Sequence, residues 1–215
     1  MLLRRYVDNP VLFPDPRRWL EADAVFNPAA TFFSSKVVML YRALSKPIPR
    51  SPYESIRIST IFYAESEDGY RFRARRMFLG PEYPWESYST EDPRVTSLNG
   101  TYYITYTAVS SMPPRPDTVH LALAVTKDFT RVVKVGVVCP YNSKAGFIFP
   151  KKYEGRYLLA VTINPDVPPS RAVLVEFDRL EHLTDSEYWS SALAEAKPLL
   201  QGTADKPFVE LGTPQ

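Results

Sequence analysis

Asn99-Gly100-Thr101-Tyr102-Tyr103-Ile104-Thr105-Tyr106-Thr107 is a polar turn that runs straight into aromatic and β-branched residues. Such side chains, bounded by turn formers, mark a β-strand. The same order stands at Ser34-Ser35-Lys36 before Val37-Val38-Met39-Leu40-Tyr41-Arg42. It stands again at Glu154-Gly155-Arg156 before Tyr157-Leu158-Leu159-Ala160-Val161-Thr162. Upstream of each turn an aromatic or acidic residue lies near a proline: Phe26-Asn27-Pro28, Glu91-Asp92-Pro93 and Phe149-Pro150. Downstream, a further strand ends in an acidic turn: 58–64 into Glu67-Asp68-Gly69, 119–125 into Lys127-Asp128, and 172–177 into Asp178.

Pro28, Pro93 and Pro150 are separated by 65 and then 57 residues. Units of this size with three or four short strands are what propeller blades look like. A β-sandwich with chance similarity among its hairpins is the competing fold. The propeller is preferred because the order of features repeats three times, and not only their spacing. The expectation is an all-β chain, residues 1–215 forming a single propeller domain of about three blades. A further period from Pro150 reaches Leu211-Gly212-Thr213-Pro214-Gln215, read as the start of a fourth blade. A ring left open there would expose the third blade, with 157–162 and 172–177 near unpaired backbone. Such edges recruit other chains, so self-association, and weak activity of the chain alone, are expected. One helix is expected near 190–197, with Thr184 and Glu187 as a capping box and Tyr188, Trp189 and Leu193 packing on the sheet.

The 215 residues include 21 Pro against 8 Gly, with 45% hydrophobic and 23% charged side chains. Proline is barred from helix interiors, so a helical bundle is excluded. A net charge of +2, with Lys and Arg spread along the chain, gives no footprint for nucleic acid. No apolar run is long enough to span a bilayer, and none of signal-peptide length precedes Asp8 and Pro10. The expected location is therefore the cytoplasm. Cys139 stands alone and His120 and His182 are far apart, so no metal or organic cofactor is expected. Cys139 follows an apolar run and reads as a buried structural thiol.

The carboxylates carry more. Glu91-Asp92-Pro93-Arg94 puts two acids and a guanidinium at the start of a blade, just after Tyr83, Trp85 and Tyr88. First strands line a propeller's channel, where side chains from several blades converge. A carboxylic acid there suits glycoside chemistry, which needs a proton on the leaving oxygen. The other reading of Asp92 is a turn former before Pro93, paired with Arg94 at the surface.

Val25-Phe26-Asn27-Pro28-Ala29, Leu40-Tyr41-Arg42-Ala43, Glu91-Asp92-Pro93-Arg94, Tyr106-Thr107-Ala108, and Lys144 ahead of Phe149-Pro150 together resemble glycoside hydrolase family 130. The resemblance implies a five-bladed β-propeller acting on β-mannosides by hydrolysis, or by phosphorolysis with inorganic phosphate as co-substrate. It implies Asp92 as general acid, Asn27 and Arg42 on the sugar beside the scissile bond, and Lys144 at a phosphate-binding cationic site. Glu91, Arg94 and Tyr106 join the expected substrate-binding set, the first two setting Asp92's charge and orientation. Two departures stand out. Family phosphorylases usually read Ser-Arg-Ile-Gly where this chain has Ser59-Thr60-Ile61-Phe62, and Leu-His-Arg where it has Leu159-Ala160-Val161. Both remove cations that would hold phosphate. The alternatives to an enzyme are a glycan-binding propeller without catalysis, and an inactive fragment that needs a partner chain.

Overall fold

In this computed structural model, which describes residues 4–212, the strands gather into three four-stranded antiparallel sheets. The first is made of β1 (Ala24–Phe33), β2 (Lys36–Leu44), β5 (Ser59–Ser66) and β6 (Arg73–Leu79), with a small hairpin, β3 (Ile48–Ser51) and β4 (Glu54–Ile56), inserted between its second and third strands. The second comprises β7 (Ser89–Leu98), β8 (Thr101–Val109), β9 (Val119–Thr126) and β10 (Val132–Val137). The third comprises β11 (Ser143–Ile148), β12 (Tyr157–Ile163), β13 (Arg171–Phe177) and β14 (Lys197–Gln201). Each sheet is a simple meander in chain order, and β7 lies between β1 and β11. These are three consecutive blades of a propeller, with their first strands side by side.

The turns found in the sequence are the hairpins that start each blade. Ser34 and Ser35 have φ of 46° and 64°, Asn99 and Gly100 51° and 75°, Glu154 and Gly155 48° and 80°. Two successive left-handed residues give a two-residue hairpin the twist of its strands. The acidic turns work differently. Asp68 Oδ1 accepts from the backbone N–H of Tyr70 and Arg71, both at 2.8 Å, and Asp128 Oδ1 from Thr130 and Arg131 at 2.8 and 2.9 Å. These bonds stabilise the ionised form and hold the Asp68 carboxyl down at about 2.

A third repeating device corrects the phasing of the sequence repeat. The register of each opening hairpin slips once, between Phe26 and Ala29, Glu91 and Arg94, and Lys144 and Phe147. Within each slip one residue is left-handed: Asn27 at 47°, Asp92 at 51° and Ala145 at 52°. A bulge of this kind bends the strand and re-aims a side chain. Blade 3 therefore matches at Ala145-Gly146, not at Phe149-Pro150, and the true spacings are 65 and 53 residues. Proline marks the bulge in two blades and glycine in the third. The start of a fourth blade, read near Pro214, falls outside the described residues.

Two core clusters lie between blades. Leu40, Ile61, Leu79, Ile104, Ala122 and Phe129 join the first and second, and Leu121, Leu123, Ile148, Leu159 and Val161 join the second and third. Gly146 sits at the second junction. A Cβ there would overlap the Leu121 side chain and lie 3.0 Å from the Ala160 carbonyl oxygen. Gly146→Ala is expected to destabilise by about 1–3 kcal/mol, the usual cost of overpacking, read as a lower urea midpoint.

The sequence reading placed 157–162 and 172–177 near unpaired backbone, and the pairing of blade 3 corrects this. β12 pairs with β11 and β13, and β13 also pairs with β14, so 157–162 and 172–177 are interior strands. The helix α1 (Ser186–Ala194) packs on the face of blade 3 that joins blade 2: its Trp189 is fully buried, 5.3 Å from the Phe177 ring, in the same core cluster as Leu121, Leu159 and Val161. The helix starts earlier than its sequence signal. Its cap is Asp185, whose side chain accepts from the N–H of Glu187 and Tyr188, while Thr184 ends the preceding 3-10 turn. Cys139 is buried, and burial pushes its thiol up to about 11.

Candidate active site

The bulges place side chains at the channel. Because β1 and β7 run side by side, left-handed Asn27 and Asp92 meet: Asn27 Nδ2 donates to Asp92 Oδ1 at 2.9 Å. Arg42, on β2 opposite Phe26, donates through Nη1 to the same oxygen at 3.2 Å. Among the described residues Asp92 Oδ2 has no hydrogen-bond partner. Arg42 is itself fixed from three sides, by Glu91 Oε1 at 2.8 Å, by Ser59 Oγ at 2.7 Å, and by the Phe26 ring 5.0 Å below its guanidinium. Ser89 Oγ donates to Glu91 Oε1 at 2.8 Å. Burial raises the Glu91 pKa, with the Arg42 charge opposing it and Asp92 adding to it.

Asp92 lies where two cavities meet. One, of about 410 Å³, is lined by Arg42, Tyr88, Glu91, Asp92, Lys144 and Asp166, with walls from β4 and the 110–118 loop. The other, of about 180 Å³, is bounded by Asn27, Arg94 and the 210–212 segment. The larger is of small-ligand size, since such sites run to roughly 300–1,000 Å³. A third cavity, of about 430 Å³, lies between the N-terminal segment and the outer face of blade 1, and no carboxylate lines it.

Three expected residues stand elsewhere or differently. Tyr106 is fully buried in the core between blades 1 and 2, donating to Glu86 Oε2 at 2.6 Å, so it cannot touch a sugar. Arg94 is turned away from Asp92. Its Nη2 donates to the Leu211 carbonyl at 2.8 Å and its Nη1 to that of Gly212, so it anchors the C-terminal segment instead of orienting the acid. Lys144 does reach the cleft, but its Nζ is paired with Glu210 Oε2 at 3.1 Å. Of the aromatic group ahead of Glu91, Tyr88 lines the cleft and donates to the Arg57 carbonyl at 2.7 Å. Tyr83 and Trp85 stack on each other, and Tyr83 is at the blade's outer side beneath Lys134.

The match to known proteins follows this arrangement. The family model described as beta-1,4-mannooligosaccharide phosphorylase covers residues 14–176, which include every site residue from Asn27 to Asp166. The chain belongs to glycoside hydrolase family 130. A 1,2-beta-oligomannan phosphorylase of Thermoanaerobacter sp. (strain X514) is 32% identical over 77% of this chain and 55% of its own length. A beta-1,2-mannobiose phosphorylase from Listeria innocua, solved with beta-1,2-mannobiose, superposes with a TM-score of 0.68 at 22% identity, over 82% of this chain and 63% of that one. A structure from work on family 130 hydrolases that target beta-1,2 mannosidic linkages in Candida mannan gives 0.67 at 22% identity, over 99% and 61%. The chain thus spans about half the length of the curated relatives it matches.

Within this family 130 chain, the two departures from the phosphorylase pattern fall at buried positions: Thr60, Ala160 and Val161 are at most 2% exposed. Thr60 Oγ1 has no hydrogen-bond partner there. Sequence reasoning also missed a device that explains Tyr106. Glu21 and Glu86 are both fully buried in short 3-10 turns ahead of their blades. Each accepts from a tyrosine 20 residues later: Tyr41 at 2.8 Å and Tyr106 at 2.6 Å. Each also meets a cation, Arg75 at 2.8 Å from Glu21 and Lys134 on Glu86. The repeated spacing was a visible signal; the burial that gives it meaning was not.

Proposed function

We propose that the protein cleaves β-mannosidic bonds in short oligosaccharides, with Asp92 as proton donor. The observation that carries this is the Asp92 carboxylate itself, with Asn27 and Arg42 on Oδ1 and Oδ2 left open at the cleft. A proton on Oδ2 passes to the glycosidic oxygen as the C–O bond breaks, and water bonds to the anomeric carbon from the opposite face, with inversion, losing a proton to solvent, from which Asp92 is reprotonated. Asn27 and Arg42 hold the acid and offer further donors to the sugar ring, and Glu91 holds Arg42. Tyr88 supplies an aromatic side chain suited to a pyranose face. The names of the relatives favour β-1,2 linkages.

Phosphate contributes little in this reading. A dianion needs several charge-assisted donors. Thr60, Ala160 and Val161 offer no charge, and Lys144 is already engaged by Glu210. Incubation of β-1,2-mannobiose with and without phosphate, followed by mass analysis, tests both parts. Mannose is expected in either condition at similar rates. Phosphate-dependent release of mannose 1-phosphate would overturn the phosphate part, and no cleavage in either condition would overturn the whole.

A further inference from the structure

The larger cavity reaches beyond the Asp92–Arg42 centre to the 164–170 loop, where Asp166 stands exposed in its wall. An exposed aspartate in a turn usually bonds its own backbone. Asp166 does not. Its one side-chain hydrogen bond is from Asn142 Nδ2 to Oδ2 at 3.2 Å, while its own N–H reaches back to Asn142 Oδ1 at 3.5 Å. Asn142 is buried, and its carbonyl accepts from the Asn164 N–H at 2.8 Å. The loop is closed by Val167 N–H on the Asn164 carbonyl at 3.2 Å, and Pro165 is buried. A buried amide thus clamps one face of the aspartate, and among the described residues no cation pairs with it and Oδ1 has no partner. A carboxylate held in place with an acceptor oxygen unused, in the wall of a sugar-sized cleft, suits the vicinal hydroxyls of a pyranose, which are donors.

We infer that Asp166 recognises a second sugar ring, next to the one held at Asp92, and so sets a preference for disaccharides and longer chains over simple mannosides. Asn142 is the positioning residue for it. The inference rests on the reading of the cleft as a β-mannoside site, but not on turnover. The test is calorimetric binding of β-1,2-mannobiose and of methyl β-mannoside to the wild type, Asp166→Ala and Asn142→Ala. Loss of a hydrogen bond to a charged group is expected to weaken mannobiose binding by about ten- to a hundredfold in Asp166→Ala. Methyl β-mannoside, with no second ring, is expected to bind all three forms alike. Asn142→Ala is expected to reproduce part of the mannobiose loss. Equal weakening of both ligands by Asp166→Ala, or of neither, overturns the inference. Selective weakening with no cleavage of either sugar by the wild type leaves the inference standing and overturns the catalytic reading. If the wild type binds neither ligand, both are overturned.

Discussion

Asp92→Asn is expected to lower β-mannoside turnover by about 10²–10⁴-fold, the usual contribution of a positioned general acid. The amide keeps the shape of the side chain and an oxygen for Asn27 Nδ2 and Arg42 Nη1, the two donors on Oδ1. What it loses is an acidic proton on the other atom. The fold should not notice, because Asp92 is a partly exposed bulge residue whose left-handed φ of 51° asparagine adopts readily. Circular dichroism and the unfolding midpoint should therefore stay near wild type while product formation collapses. Turnover within a few-fold of wild type would return Asp92 to the role of a turn former before Pro93.

Lys134→Met is expected to cost about 3–5 kcal/mol of stability, the range for removing one member of a buried ion pair. The Lys134 side chain is 6% exposed and pairs with fully buried Glu86, which also accepts from Tyr106 at 2.6 Å. Lys134 Nζ further donates to the Gly80 carbonyl at 2.5 Å and lies 3.3 Å from Glu82. Without the ammonium, Glu86 is left charged beneath blade 2 with only the phenol to answer it. Pairing Lys134→Met with Glu86→Gln removes the stranded charge and should recover a large part of the loss. Urea denaturation of the single and double variants measures this. A single-variant loss under about 1 kcal/mol, the size expected of an exposed pair, would mean that water reaches the pair.

The sequence by itself determined the blades. Local chemistry suffices there: Ser34-Ser35, Asn99-Gly100 and Glu154-Gly155 are turns because two adjacent residues must turn left-handed. The strands after them are strands because alternate side chains enter the core. The Asp92–Asn27–Arg42 set was legible for a different reason, through motifs held in chain order, even though nothing local says that residues 65 and 50 positions apart will touch. Only the tertiary structure decided which side of a strand each functional side chain serves. Tyr106 and Thr107 are neighbours in sequence, yet alternation buries the first against Glu86 and puts the second in the cleft wall. Arg94 follows Asp92 by two residues, but the bulge between them breaks that alternation and hands the guanidinium to the 211–212 carbonyls. The bulge also hid the true repeat in blade 3, because a backbone slip can be made with Asp-Pro or with Ala-Gly and composition does not see it. Asp166 shows the same limit. Its part in the cleft depends on Asn142, a partner 24 residues upstream in another loop, which only packing brings beside it.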